Sequence, residues 1–282
     1  MHFFICHYTP LVERNKFIKN QLDNKVGNMV YYNLEADLCN NKVPLADISN
    51  VNSINYDPSN NVAFFVRKYD RDYLTKDIIS SKFNSPHDKT HNIRLEYHEH
   101  PDYNKTFYTY NNFKSKYNHS LSHRGIKPAE MSLALKHYET LKNISQMDIS
   151  YAMVIEDDCV FVDNFIPRML NKIKDFPSDW DIYYPNSCPN PGFRTKGGWT
   201  AIPNVKELIV KKHPTSVFGI SYLITKNAAL KIVNELEKNK HWIAIDHEFN
   251  WLSYTLQLKV IWNRHHDRLT LWGVSGLKSS LI

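Results

Sequence analysis

Three consecutive carboxylates, Glu156-Asp157-Asp158, close an apolar run, Tyr151-Ala-Met-Val-Ile155, and a second apolar step, Cys159-Val-Phe161, follows. Burying an unpaired carboxylate is costly, so a strand seldom ends in three of them without a cation nearby. Side chains alternate along an extended chain, which sets Glu156 and Asp158 on one side and Asp157 on the other. Two carboxylates on one side of a strand end can hold a hard divalent ion. Such an ion keeps several waters and binds a substrate diphosphate. The plain alternative is an acidic surface turn.

The whole chain limits what partner that chemistry can serve. A net charge of +6 over 282 residues suits an anionic small ligand but is too mild for nucleic acid, and no Lys/Arg cluster interleaves with aromatics. Apolar content of 42% is ample for a packed core. Cys6, Cys39, Cys159 and Cys188 lie far apart with no CxxC pair, which excludes a zinc site and a dense disulfide framework. No run reaches the roughly 20 apolar residues of a membrane span, and Phe3-Phe4-Ile5-Cys6 is too short for a signal segment. The resulting expectation is a cytoplasmic setting with reduced thiols. Oligomeric state is left open, a homo-oligomer included.

The elements that must position the acids follow from pattern. Residues 2–7 predict a first strand, Pro10 to about Leu22 a helix, and residues 28–33 a second strand. This strand–helix–strand opening suggests a parallel βαβ unit. Val62–Val66 predicts a strand and Tyr73–Ile79 a short helix. Residues from about 80 to 120 are polar, rich in Asn, His and Tyr, and predict an insertion on the substrate side. A helix is expected from Pro128 to Asn143 and the acid-bearing strand at Tyr151–Ile155. Asp163-Asn164 is placed to cap a helix through Ile173. Further strands are expected at 180–184, 216–224 and 259–262, and helices at 227–236 and 246–256. No linker divides residues 1–282, so a single domain is expected.

Several segments together resemble glycosyltransferase family 25, which includes lipooligosaccharide and collagen-type galactosyltransferases. Phe4-Ile-Cys-His-Tyr-Thr-Pro-Leu-Val-Glu13-Arg14 is similar to that family's opening strand and "ER" helix. Ala129-Glu130-Met-Ser-Leu-Ala-Leu135-Lys136-His137 resembles its "GExGCxLSH" helix at Glu130, Leu135 and His137, and departs from it at Ala129, Ser132, Leu133 and Lys136. The triplet resembles an "aliphatic–LEDD" strand end. Trp180-Asp181 stands where the family has "WD". Gly219–Ala228 resembles "AYxISxxxA", and Asp246-His247-Glu248 resembles an acidic step.

The resemblance implies an α/β fold of GT-A type, a Rossmann-like sandwich with a mixed, mostly parallel central sheet. It also implies Mn²⁺ (or Mg²⁺) and a UDP-sugar donor, with galactose or glucose passed to a hydroxyl of a glycan, lipid-linked saccharide or protein, inverting the anomeric carbon. In that frame Asp158 is the first metal ligand, and Glu156 binds the metal through water or holds the ribose. Asp157 organises the loop. His265 and His266, after the last strand, are candidates for the metal or diphosphate. Thr9 and Arg14 are candidates on the nucleotide side, with Lys212 a weaker one. The base must be a carboxylate other than the metal ligands. Asp246 is preferred over Glu248, since residues two apart on a helix do not share a face. A helix-capping role for Asp246 is the competing reading. His137 is equally readable as a core histidine. Two other classes remain open, a metal-dependent nucleotide-sugar phosphohydrolase and a catalytically inactive sugar- or nucleotide-binding protein on the same fold.

Overall fold

A computed structural model describes residues 1–35, 61–83, 127–187, 199–201, 208–211, 221–241, 244–263 and 267–271. The opening elements are β1 (His2–Cys6), α1 (Val12–Lys25), β2 (Met29–Asn33) and β3 (Asn61–Val66). A 3-10 turn at Arg71–Tyr73 and α2 (Lys76–Lys82) follow, then α3 (Pro128–Gln146) and β4 (Tyr151–Glu156). Next come β5 (Val160–Phe161), α4 (Phe165–Ile173), β6 (Ile182–Ser187), β7 (Trp199–Ala201), β8 (Leu208–Lys211) and β9 (Ser221–Thr225). The chain continues through α5 (Lys226–Asn239), α6 (Ile245–Thr255), β10 (Val260–Asn263) and β11 (Thr270–Leu271).

Among the described residues, nine strands form one sheet in the order β2-β3-β1-β4-β9-β6-β10-β8-β7. Only β9 and β8 run against the others, so the sheet is mixed and mostly parallel, as expected. Strand alternation divides the core. Phe4, Cys6, Ala152 and Val154 face one layer with α3, α5 and α6. Phe3, Ile5, Met153 and Ile155 face the other with α1 and α4. The result is an α/β sandwich with helices on both faces, compatible with a Rossmann-like fold.

From β1 the chain crosses through α1 towards β2 on one side, while from β4 it continues through α4 to β6 on the other. The carboxyl ends of β1 and β4 therefore flank a switch point, where open α/β sheets bind ligands. Cys6 pairs in register with Glu156, which sets the residues just beyond each strand side by side.

Local chemistry explains the elements that hold this edge. Pro128 opens α3, where its missing N–H costs nothing, and the Glu130 carboxylate accepts the Lys127 backbone N–H at 2.8 Å. Thr225 caps α5 by accepting the Ala228 N–H at 3.2 Å. Some expectations are corrected. Asn164 precedes α4 in a left-handed conformation and makes no side-chain cap. Trp180 lies before β6 rather than in it, packed on Phe176 and Tyr151. The expected helix at 73–79 is a 3-10 turn followed by α2. Residues 84–126, most of the expected insertion, and the first part of the expected strand at 216–224 lie outside the described residues. Cys6 and Cys159 are buried free thiols. No described helix is long and apolar enough to cross a membrane.

One buried group gives the fold a pH limit. The His2 ring is fully buried over Phe64, and neither ring nitrogen has a hydrogen-bond partner. Burial, with a smaller push from the Met1 ammonium, lowers its pKa to about 4. The folded state thus keeps His2 neutral while the unfolded chain protonates near 6.5. The associated stability is full above pH 6.5 and is lost as pH falls towards 4. Urea unfolding at about pH 7.5 and about pH 5 should show His2→Phe losing about 2 kcal/mol less than the wild type on acidification. Equal losses in both proteins would mean that His2 titrates normally.

Candidate active site

The acid triplet sits where β4 runs out. Glu156 is the last strand residue and its side chain turns towards α3, with its Oε1 3.9 Å from the His137 Nε2. His137 is fully buried. Its Nδ1 is 2.8 Å from the Tyr222 hydroxyl on β9, and its ring stacks on Tyr222 and meets Phe249 edge-on. The match of His137 to an amphipathic helix position thus leads both ways: it is a core histidine, and it stands behind Glu156.

Asp157 points to the other layer. It accepts from His7 Nδ1 at 2.8 Å and from Arg14 Nη1 at 2.8 Å, with the Tyr8 N–H at 3.5 Å. Burial works against its charge, but the His7 and Arg14 hydrogen bonds outweigh this and hold the carboxyl below the usual range. The expected loop-organising role of Asp157 fits these contacts. Asp158 departs from the expected alternation. The strand has ended, the chain turns, and the Asp158 Oδ2 lies 3.1 Å from the same Arg14 Nη1. Arg14, from the first turn of α1, is thereby a shared counter-ion for both aspartates. Burial alone would weaken its charge, yet contact with Asp157 and Asp158 raises its pKa.

Glu156 and Asp158 nevertheless carry raised pKa values. Burial raises the pKa of Glu156 well above the ordinary value, and Asp158, Asp246 and Asp157 add to the effect. Burial also raises that of Asp158, with Arg14 opposing. Asp246, half-buried in the first turn of α6, is thus one of the charges that Glu156 feels. It lies inside the helix, not at its cap. Glu248, the other candidate base, is fully buried and 2.6 Å from His241 Nδ1, a contact that ties α6 to the end of α5. Thr9 is exposed on the same edge, its N–H donating to Asp70 Oδ2 at 3.2 Å. His265, His266 and Lys212 lie outside the described residues.

Among the described residues, no three His, Cys, Asp or Glu side chains already converge on a metal position. Two observations nevertheless fit a divalent cation. Asp158 Oδ1 is a buried acceptor with no hydrogen-bond partner. Glu156 keeps 19% of its side chain exposed, more than Asp157 or Asp158, and lacks a charged partner closer than 3.9 Å. Residues missed from sequence are His7, Asp70, Lys136 and Tyr222. His7 follows the first strand directly and Tyr222 lies within a matched motif, so both were within reach. Lys136 showed only as a departure from the motif that its helix resembles.

No protein-family model matches the chain. The chain is similar to procollagen galactosyltransferase 1-A of Xenopus laevis, at 28% identity over 114 residues. It is also similar to procollagen galactosyltransferase 2 of Homo sapiens, at 26% over 120 residues. These matches cover 39% and 42% of this chain and 18% of each relative. The similarity supports a relationship to glycosyltransferases.

The crowding makes a stability prediction. A carboxyl whose folded pKa is raised destabilises the fold increasingly as pH climbs from its unfolded value, about 4.3, to its folded one. Without divalent cations, Glu156→Gln should therefore melt about 2 °C or more above wild type at neutral pH, roughly a 1 kcal/mol effect, with the gain vanishing below about pH 4. A lower melting temperature for the variant at neutral pH would show that Glu156 is not under charge stress.

Proposed function

We propose that the chain is an inverting glycosyltransferase that moves a sugar, galactose or glucose, from a UDP-sugar to a hydroxyl of a glycan, lipid-linked saccharide or protein. The observation that carries this reading is the acid triplet at the strand-end switch point, with Asp158 Oδ1 buried and unpartnered and Glu156 without a close cation. In this reading the triplet serves the leaving diphosphate, and Asp246, a separate acid, serves the incoming hydroxyl. The similarity to procollagen galactosyltransferases supports the same reading.

Arg14 holds Asp157 and Asp158 in place from α1, so the loop after β4 keeps its shape when substrate arrives. Asp158, helped by Glu156, would hold a divalent cation, which supplies neutralisation of the charge growing on the diphosphate. Asp246 takes the acceptor's proton as its oxygen forms a bond to the anomeric carbon. The bond to the diphosphate oxygen breaks, and UDP leaves with the electron pair. A positioned carboxylate base contributes about 10²–10⁴-fold to such a step.

Thermal-shift titration with UDP, UDP-galactose and UDP-glucose, with and without Mn²⁺, should reveal stabilisation that requires the metal. A ligand at 100 times its Kd adds about 2.7 kcal/mol to the folded state. Asp158→Asn should lose the Mn²⁺-dependent shift while remaining folded; unchanged Mn²⁺ and UDP binding would remove Asp158 from the metal site. Asp246→Asn should keep UDP binding and lose at least about 100-fold in turnover. Cleavage of the UDP-sugar without acceptor, as fast as transfer, would favour a phosphohydrolase instead.

A further inference from the structure

Lys136 is buried in the middle of α3, with 2% of its side chain exposed, and its Nζ donates to the Asp70 carboxylate and to the His7 backbone carbonyl. Asp70 lies in the turn after β3 and is equally buried. Its other oxygen accepts the Thr9 N–H at 3.2 Å. The ammonium also stands 5.9 Å from the centre of the Tyr8 ring. One lysine therefore reaches three successive residues of the β1–α1 loop: the His7 carbonyl and Tyr8 ring directly, and the Thr9 N–H through Asp70. That loop in turn carries the His7 side chain to Asp157 and leads into the helix that carries Arg14. A buried ion pair is a poor source of net stability, because desolvating both charges consumes most of their attraction. Its geometry here is better matched to fixing one loop conformation. Lys136 is also one of the four positions at which the helix departs from the motif it resembles.

We propose that Lys136, with Asp70, is a positioning pair that clamps residues 7–9 and thereby sets the nucleotide-side edge of the site. The nucleotide role rests on the glycosyltransferase reading; the clamp does not.

The test separates positioning from plain stability. Lys136→Met leaves Asp70 buried and unpaired and should lower the melting temperature. Lys136→Met with Asp70→Leu removes both charges and should restore it. In the restored double variant, amide hydrogen exchange at Tyr8 and Thr9 should still be at least 10-fold faster than in wild type, and the Kd for UDP with Mn²⁺ at least 10-fold higher. Wild-type exchange and wild-type UDP affinity in the double variant would overturn the proposal and leave the pair a stability feature only. Fast exchange with unchanged affinity would overturn its nucleotide role. If wild type itself binds no UDP, the functional reading fails, while exchange at Tyr8 and Thr9 still decides the clamp.

Discussion

Charge crowding at the end of β4 is the constraint around which the rest of this molecule is arranged. Glu156, Asp157 and Asp158 crowd where the low dielectric of the sheet gives way to the loops, and Arg14 pairs with Asp157 and Asp158. Three consecutive acids and one guanidinium cannot all be comfortable in such a place. The protein settles the matter unequally. Asp157 receives two strong donors and is held ionised. Asp158 shares one of them and keeps an oxygen unpartnered. Glu156 is left most in need of a cation.

The sandwich supplies the means for that unequal treatment. Alternation along β4 sends Asp157 to the layer of α1, which provides Arg14, and Glu156 to the layer of α3 and α6, where α3 provides His137. The parallel neighbour β1, in register with β4, adds His7 at the seam. Each acid thus has a different chemical environment although the three are consecutive. Tyr222, on the antiparallel strand β9, braces His137 from behind and fixes which nitrogen faces Glu156.

Sequence pattern carried the skeleton well where local physics decides structure. The apolar runs of β1, β3 and β4 and the helical spacing of α1, α3 and α5 are legible because burial on a sheet or helix face imposes a period. The triplet stood out because three buried acids are improbable without a purpose. What escaped depends on partners distant in the chain. Nothing near Asp157 announces His7 or Arg14, which reach it across about 150 residues of sequence. The alternation rule misplaced Asp158 because the strand stops two residues before the acids do. Trp180 reads as strand because it is apolar, but its ring is spent on Phe176 and Tyr151 just before β6. Lys136 stood out only as a departure from the resembled motif, and Asp70, from the turn after β3, gives it a reason to be there.

The pairing of β1 with β4 also shapes how the molecule folds. Phe3 lies beside Met153, so the two central strands cannot join until about 150 residues of chain have closed between them. Parallel pairings of that span form slowly, after local helices and the β1–β3 register are available. The three consecutive acids therefore stay in water, away from His7 and Arg14, through the early stages of folding, and the cost of burying them is felt only when most of the apolar surface is already committed. Loop-closure entropy grows only with the logarithm of length, about 0.6 kcal/mol for each doubling. The long span between β1 and β4 accordingly adds little thermodynamic cost over a shorter one, while the register of the two strands keeps the acids beside His7.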